Sequence, residues 1–238
     1  MMSALHAIDS LTSTARRLEK HYKRLLLPHM PIQFDDSHSA HRPEIEAYIA
    51  EQFYINYQAK ITHFSPYLLS SQSDNDIKAV MGFQSAQVDA PLFLEQYFNE
   101  RIETVLSQSL DKDIQRHQIA EVANLTSNHR GSSHILFILT IAILHAAGFK
   151  WAVFTANRQV QALLAKLNLV TQEVGDARLA LLVDSSESWG TYYDDNPKVV
   201  VGDLTQAIET LKDHKVISFV LKNHQRIIDD SVEKIAIV

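Results

Sequence analysis

In the central third of the chain, short apolar runs typical of strands alternate with longer apolar stretches typical of helices. Residues 119–125 are strand-like, and residues 135–147 are apolar on nearly every face, which predicts a buried helix. The fully apolar run 151–155 predicts a central strand. Asn157 suits the N-cap of a further helix that ends near Leu167. We therefore expect two parallel neighbouring strands joined by a right-handed helical crossover, with elements at 118–125, 132–147, 150–155 and 158–167.

The chain upstream of this unit shows helical stripes and one short strand. Apolar residues at three- and four-residue steps over 4–26 predict an amphipathic helix with a basic outer face. Such a helix either lies on a membrane surface or packs on its own domain. A strand over 32–34 and a helix starting at Pro43 follow. A longer helix is expected over 92–110.

A hairpin is predicted between these helices. Two apolar arms, 61–70 and 77–86, bracket a polar turn, which is the pattern of an antiparallel hairpin. Gly82 interrupts the second arm and indicates a bulge or a close approach of another chain segment.

The chain downstream of the central unit alternates short β-branched runs with helical stripes. Asp203 suits the N-cap of one of these helices, and residues 223–238 are ambiguous. Together with the hairpin, this order predicts an α/β (α+β) layer fold with a mixed sheet. The expected downstream elements are strands at 170–174, 198–201 and 216–221 and a helix at 204–211.

Composition narrows the class of protein. A chain of 238 residues fits one domain of about 200 residues with tails. A net charge of 22 − 28 = −6 argues against nucleic-acid binding, and the absence of cysteine excludes disulfides and thiolate chemistry. His38 and His41 have metal-ligand spacing, but no third ligand completes the set, so no metal is expected. The chain also shows no signal peptide and no membrane span, so we expect a cytoplasmic protein.

Residues 124–133 join the first central strand to the buried helix. They include seven turn-forming residues, with Gly131 the only glycine. A Gly/Ser turn at a helix N-terminus presents free backbone N–H groups and the positive end of the helix dipole. With Arg130 beside it, this turn predicts a pyrophosphate site. The alternative is an ordinary capped helix.

Five short blocks in order resemble the thermostable hemolysin family, and the resemblance covers about residues 40–205. The central part is similar to the acyl-donor core of the GNAT acyltransferase superfamily. The resemblance implies a GNAT-like mixed central sheet flanked by helices, in which two adjacent strands splay apart and the acyl donor enters the wedge. The blocks are FSPYLL at 64–69, PLFLEQY at 91–97, EVANLTS at 121–127, WAVFTA at 151–156 and WGTYY at 189–193.

The resemblance also implies an activity and a division of the chain. It implies an N-acyltransferase that takes acyl-CoA or an acyl-carrier protein as donor and a small amine or amino acid as acceptor. We expect an N-terminal amphipathic helix at 1–28, the GNAT-like domain at 29–202 and a C-terminal extension at 203–238. Leu164 stands where many members of the superfamily carry a tyrosine general acid. Asn128 and Ser133 depart from the superfamily's turn pattern, whereas Gly131 keeps it.

Two residues of the first central strand are the catalytic candidates. Glu121 lies inside an apolar strand, where partial burial would raise its pKa toward that of a useful general base. Its alternative role is an ion pair with Arg116 or Arg130. Asn124 lies three residues further on, so both side chains reach one site only if a bulge intervenes.

The remaining candidates would bind the donor. The resemblance implies that Val153 or a neighbour offers a backbone N–H to the thioester. Asn157 would cap its helix or hydrogen-bond the pantetheine arm. We expect the phosphates to be held by Arg130, Gly131, Ser132 and Ser133.

Two other functions remain open at this point. One is a membrane-active, haemolytic protein, whose effect follows either from an amphiphilic lipid product or from residues 4–26 in peripheral contact with a bilayer. The other is a non-catalytic GNAT-like binding protein, which the altered turn and Leu164 favour. Fold resemblance alone does not decide between these and an enzyme.

Overall fold

A computed structural model of the chain describes residues 30–73, 76–87, 90–129, 131–182 and 188–236. Within these ranges the strands are β1 Ile32–Asp35, β2 Tyr67–Ser73, β3 Asp76–Ser85, β4 Ile119–Ser127, β5 Trp151–Ala156, β6 Gln172–Asp176 and β7 Lys198–Asp203. These seven strands form one sheet in the order β1-β2-β3-β4-β5-β7-β6. Among the described strand pairs, only β4–β5 is parallel.

Helices cover both faces of this sheet. The helices are α1 Arg42–Tyr57, α2 Ile102–Leu110, α3 Ser132–Ala146, α4 Arg158–Lys166, α5 Leu204–Lys212, α6 Lys215–Asn223 and α7 Gln225–Ala236, and short 3-10 segments lie at Phe93–Tyr97, Arg116–Gln118 and Leu179–Leu181. The buried helix α3 and the C-terminal helices α5, α6 and α7 pack on one face of the sheet, and α1 and α2 lie on the other.

The predicted central unit is confirmed. The four elements β4, α3, β5 and α4 match the expected ranges within two residues. Strands β4 and β5 are parallel neighbours, with Ile119 opposite Trp151. The α/β fold class and the mixed sheet are therefore confirmed.

The ladder between β4 and β5 stops early. Its last pair is Glu121 with Val153, although β4 runs on to Ser127 and β5 to Ala156. Beyond that pair the two strands diverge within one sheet. This is the wedge that the family resemblance implied.

A β-bulge lies where β3 pairs with the diverging part of β4. Val80 pairs with Thr126 and Gly82 with Ala123, so one residue of β3 faces two residues of β4. Asn124 takes a left-handed backbone, with φ of 52°, within this bulge. Gly82 is also a point of close approach, because a Cβ there would lie 2.8 Å from the Ser65 side chain. The bulge and the close approach that Gly82 indicated are both present.

The single helix predicted over 92–110 is wrong. The chain forms a 3-10 turn over Phe93–Tyr97, extends at Phe98 and restarts as α2. The Glu95 carboxylate explains the break, because it accepts hydrogen bonds from the amides of Leu92 and Ile102, each at 2.8 Å. It therefore caps both helical pieces, which sequence periodicity does not reveal.

Two predicted strands begin in a different place. The first hairpin arm starts at Tyr67 rather than at 61, since the Arg42 guanidinium holds the carbonyls of Ser65 and Pro66 and fixes a bend there. The strand expected over 170–174 lies at Gln172–Asp176.

The last predicted strand, 216–221, is wrong and is the helix α6. Ile217 and Leu221 are buried, whereas Phe219 is 64% exposed, which is a helical rather than an alternating pattern. The His214 ring caps the helix by accepting the amide of Ile217. The ambiguous residues that follow form α7.

The C-terminal helices share the main hydrophobic core with α3. That core includes Ile208, Ile217 and Ile228. The domain boundaries at 28 and 202 stay predictions, and the predicted helix over 4–26 lies outside the described residues. Within the described ranges, every helix is too short or too polar to span a bilayer.

The buried face of α6 gives a stability test. Ile217→Ala should lower the free energy of unfolding by about 2–4 kcal/mol, because it leaves a cavity in the main core. Phe219→Ala is the matched control, and it should change stability by no more than about 0.5 kcal/mol. Urea unfolding followed by circular dichroism measures both. A large loss at Phe219 would indicate the alternating burial of a strand and contradict the helix.

Candidate functional site

A cavity of about 550 Å³ occupies the wedge between β4 and β5. β4 lines it from Glu121 to Ser127, and Phe154 and Thr155 of β5 line the opposite side. The cavity continues past the end of β4 to the N-terminus of α3. A volume of this size fits a small-molecule ligand.

Glu121 lies where the wedge closes and is 3% exposed. One carboxylate oxygen accepts hydrogen bonds from the Gln84 side chain at 2.7 Å and from the Phe93 amide at 2.8 Å. The other oxygen accepts the Leu94 amide at 3.0 Å. The carboxylate thus ties β4 to β3 and to the 3-10 turn while it faces the cavity.

Burial raises the pKa of Glu121 to about 7, although these three hydrogen bonds oppose the rise. The proposed ion pair between Glu121 and Arg116 is wrong. Arg116 binds Glu95 at 2.6 Å and Glu103 at 2.7 Å instead. Glu121 therefore has the pKa of a base that works near neutral pH.

Asn124 shares the cavity with Glu121 because of the bulge. Its side-chain oxygen accepts the backbone amide of Ser65 at 2.9 Å and the Ser65 hydroxyl at 3.0 Å. Its amide group donates to the carbonyl of His63 at 3.4 Å. Asn124 holds the segment 63–65 over β4, which makes it a positioning residue.

The turn at the start of α3 only partly matches the predicted phosphate site. Gly131 has φ of 89° and lines the cavity together with Ser133. Ser132 does not, because its side chain is fully buried against Met30 and His129. Arg130 lies outside the described residues.

Two further polar residues near this turn were missed by sequence reasoning. His134 and Lys166 line the same end of the cavity. Both ring nitrogens of His134 are buried and have no hydrogen-bond partner within the described ranges. Burial lowers the pKa of His134, and the charge of Lys166 lowers it further. A histidine within an otherwise apolar helix was the available signal.

On β5 and α4, the predicted binding residues have mixed outcomes. Val153 is fully buried in the core and does not line the cavity, although it forms the last β4–β5 pair with Glu121. Asn157 lines the cavity and caps α4 by accepting the Val160 amide at 3.1 Å. It also donates to the Tyr57 hydroxyl at 3.0 Å. Leu164 is buried in the core.

Aromatic rings enclose the Glu121 end of the cavity. Tyr192 and Tyr193 lie in a turn, and both line the cavity. The hydroxyls of Tyr193 and Tyr97 are 2.5 Å apart. The other rings at this end belong to Phe53, Tyr57, Phe93 and Trp189.

A family model described as thermostable hemolysin matches residues 35–208. The chain belongs to the thermostable hemolysin family. The match spans the whole wedge, including the aromatic turn at 188–193 and the start of α5.

Solved structures with the same fold include two acyl-homoserine-lactone synthases. LasI is 12% identical, with 74% of this chain and 90% of that chain covered, at a TM-score of 0.51. The CoA-dependent synthase BjaI with MTA is 11% identical, covers 78% and 89%, and has a TM-score of 0.53.

A third structure is FeeM, an N-acyl amino acid synthase from uncultured soil microbes. It is 8% identical, covers 76% of this chain and 98% of that chain, and has a TM-score of 0.51. At such identities the likeness shows the shared GNAT-like fold. Comparison with curated proteins gave no significant match.

A metal centre has no support in the described part of the chain. No group of three or more histidine, aspartate or glutamate side chains there is placed to hold an ion. His38 and His41 lie beside β1 and do not line the cavity.

The raised pKa of Glu121 predicts a pH-dependent stability difference. The folded chain binds a proton more tightly than the unfolded chain, so Glu121 makes the wild type less stable as pH rises from about 4.5 to about 7. Glu121→Gln does not titrate. The stability of this variant relative to wild type should therefore rise across that window, by up to about 3 kcal/mol.

Urea unfolding at several pH values measures this difference. The exposed Glu44→Gln is the control, because it removes a carboxylate that stays in solvent. A flat difference for Glu121→Gln between pH 4.5 and 7.5 would show that the carboxylate is not destabilised by burial.

Proposed function

We propose that this protein is an N-acyltransferase that moves an acyl group from acyl-CoA or an acyl-carrier protein to a small amine or amino acid. The observation that carries the proposal is the wedge, with a buried carboxylate of pKa about 7 at its closed end. LasI and BjaI are acyl-homoserine-lactone synthases and FeeM is an N-acyl amino acid synthase, and their structures support the proposal by shared fold.

The donor would lie along β4, with its phosphates at the N-terminus of α3. The fifteen-residue helix α3 begins at Ser132. Its N-cap is Gly131, whose missing Cβ leaves room for a phosphate near the backbone. Lys166 adds a positive charge at this end of the cavity, and we assign Arg130 and Ser133 to the same site. From there to Glu121, β4 spans roughly 20 Å, which suits an extended pantetheine arm.

The thioester would then lie at the apex of the wedge. The ladder between β4 and β5 ends at Val153, so main-chain groups beyond this residue are no longer committed to β4. An N–H group of Val153 or its neighbour Phe154 would polarise the thioester carbonyl.

Glu121 would act as the general base, directly or through a water molecule. It takes a proton from the acceptor ammonium, and the free amine attacks the carbonyl carbon. As the C–N bond forms and the C–S bond breaks, a protein hydroxyl protonates the leaving thiolate to a thiol. The second amine proton passes to the oxygen of that hydroxyl, and Glu121 releases the first proton to solvent. Leu164 cannot supply the proton to the thiolate, and we assign the donor role to the hydroxyl pair of Tyr97 and Tyr193.

Several predictions made from the sequence concern properties other than the acyl-transfer reaction. Peripheral membrane contact through residues 4–26, a cytoplasmic location and the absence of nucleic-acid binding stay predictions. The choice between CoA and a carrier protein is also open to experiment. A haemolytic protein or a non-catalytic binding protein would follow if the assays below gave no acyl transfer.

Donor binding should depend on Gly131 in a specific way. Gly131→Val should weaken octanoyl-CoA binding by at least about tenfold, because its side chain would occupy the phosphate site. Gly148→Val is the matched control: Gly148 has a similar φ of 92°, at the other end of α3, and does not line the cavity. Calorimetry gives both dissociation constants.

This pair separates site loss from backbone strain, which both variants share. Equal weakening in the two variants would place the donor elsewhere. If neither octanoyl-CoA nor an acyl-carrier protein binds the wild type below about 1 mM, the acyltransferase proposal is wrong.

Glu121→Gln should spare donor binding and lower turnover. Loss of a general base costs roughly 10²–10⁴-fold in kcat, with little change in KM for the donor. In the wild type, kcat/KM should rise with pH and level off above about 7, because the base works only when ionised. A thiol-release assay across pH measures this, and a profile that falls as pH rises through 7 would contradict the role of Glu121.

A further inference from the structure

Four aromatic rings form a closed circuit at the Glu121 end of the cavity. Phe93 contacts Trp189 with ring centres 5.6 Å apart, and Trp189 contacts Tyr193 at 5.6 Å. Tyr193 contacts Tyr97 at 6.5 Å, and Tyr97 returns to Phe93 at 6.4 Å. All four residues line the cavity. We call these four rings the aromatic circuit.

The aromatic circuit lies directly beside the catalytic carboxylate. Phe93 belongs to the circuit, and its own backbone amide donates to Glu121 at 2.8 Å. Leu94, the next residue, donates to the other carboxylate oxygen at 3.0 Å. A ligand group that reaches Glu121 therefore contacts aromatic ring faces and one buried carboxylate.

The charges that line the cavity are unevenly distributed. Among the described residues, Glu121 is its only carboxylate and Lys166 its only lysine or arginine. Lys166 lies at the opposite end, with His129, His134 and the N-terminus of α3. At the aromatic end only His63, which is exposed and has its ring centre 5.9 Å from that of Phe93, could carry a positive charge.

This distribution distinguishes two classes of acceptor. An ammonium group is stabilised by aromatic faces and by a carboxylate. The carboxylate of an amino acid would be desolvated beside Glu121, with no arginine or lysine of the described cavity lining to balance it. The site therefore favours an amine and opposes an amino acid, which is how repulsion produces specificity.

We propose that the aromatic circuit and Glu121 form a binding site for a primary amine that carries no carboxylate. The amine binds as an ammonium ion, with its nitrogen between Glu121 and the aromatic faces. This inference rests on the proposed acyltransferase function and narrows its acceptor. It separates this chain from FeeM, which is an N-acyl amino acid synthase.

The test compares ligands that differ only in the carboxylate. Phenethylamine is paired with phenylalanine, and tyramine with tyrosine. Calorimetry without donor measures binding, and mass spectrometry of reactions with octanoyl-CoA measures product. We expect each amine to bind at least about tenfold more tightly than its amino acid, with a matching preference in kcat/KM.

Variants separate the charge effect from simple apolar burial. Trp189→Leu should weaken phenethylamine binding about fivefold or more, and Trp189→Phe should restore most of it. The uncharged analogue 2-phenylethanol should bind more weakly than phenethylamine in the wild type and should lose less on Trp189→Leu. His63→Phe should leave the preference for the amine unchanged, since His63 holds no ligand carboxylate.

The outcomes of the two measurements are distinguishable. Amino acids that bind or react as well as the amines would overturn this inference while supporting acyl transfer. A preference for amines in calorimetry, with no product from any donor, would support the ammonium site and contradict the acyltransferase function. Failure of every amine to bind at 10 mM would overturn the inference.

Discussion

The structure depends on a backbone ladder that ends after three pairs. β4 and β5 pair from Ile119–Trp151 to Glu121–Val153 and then diverge. Backbone groups beyond this point need other partners, because unpaired buried N–H and C=O groups are costly. Beyond this point β4 keeps its pairing with β3 through a bulged register, and the Asn124 side chain holds the segment 63–65 by hydrogen bonds to Ser65 and His63. The cavity is the space that this divergence leaves.

The same point in the sheet carries Glu121, the carboxylate that we propose as the general base. Glu121 is the last residue of β4 to pair with β5, and it accepts three hydrogen bonds from β3 and the 3-10 turn. These bonds favour the charged form, whereas burial favours the neutral form, and burial dominates. The result is a group close to its midpoint at neutral pH. Its structural role and its reactivity thus follow from one set of contacts.

The sequence pattern predicted those elements that interactions between residues close in sequence determine. The apolar run of α3, the Asn157 and Asp203 caps and the parallel β4–β5 pair all followed from residues near one another in sequence. The wedge came from the family resemblance, since no periodicity indicates where a ladder ends. The break at Phe98 was missed because the Glu95 side chain caps both helical pieces, and the spacing of apolar residues does not show such hydrogen bonds. Helix α6 was mistaken for a strand because the six residues 216–221 are few enough to fit either period.

The predicted residues that line the cavity lie on β4 and the turn after it, apart from Asn157 on the β5 side. Glu121, Asn124, Gly131 and Ser133 were found from the strand and the turn, whereas Ser132 could be assigned to the core only once the helix phase was known. The aromatic circuit joins rings about a hundred residues apart in the chain, and pairing of this kind has no local signal. Tertiary packing, rather than any motif, places those rings around the carboxylate.

The most direct test of the account is an experimental structure of the protein with octanoyl-CoA bound. The account predicts the phosphates at Gly131, the pantetheine arm along β4 and the thioester sulfur in the gap between β4 and β5, close to Glu121. It also predicts that the β4–β5 ladder still ends at Glu121 and Val153. Octanoyl-CoA bound outside the wedge, or a ladder that continues to Ala156, would contradict it.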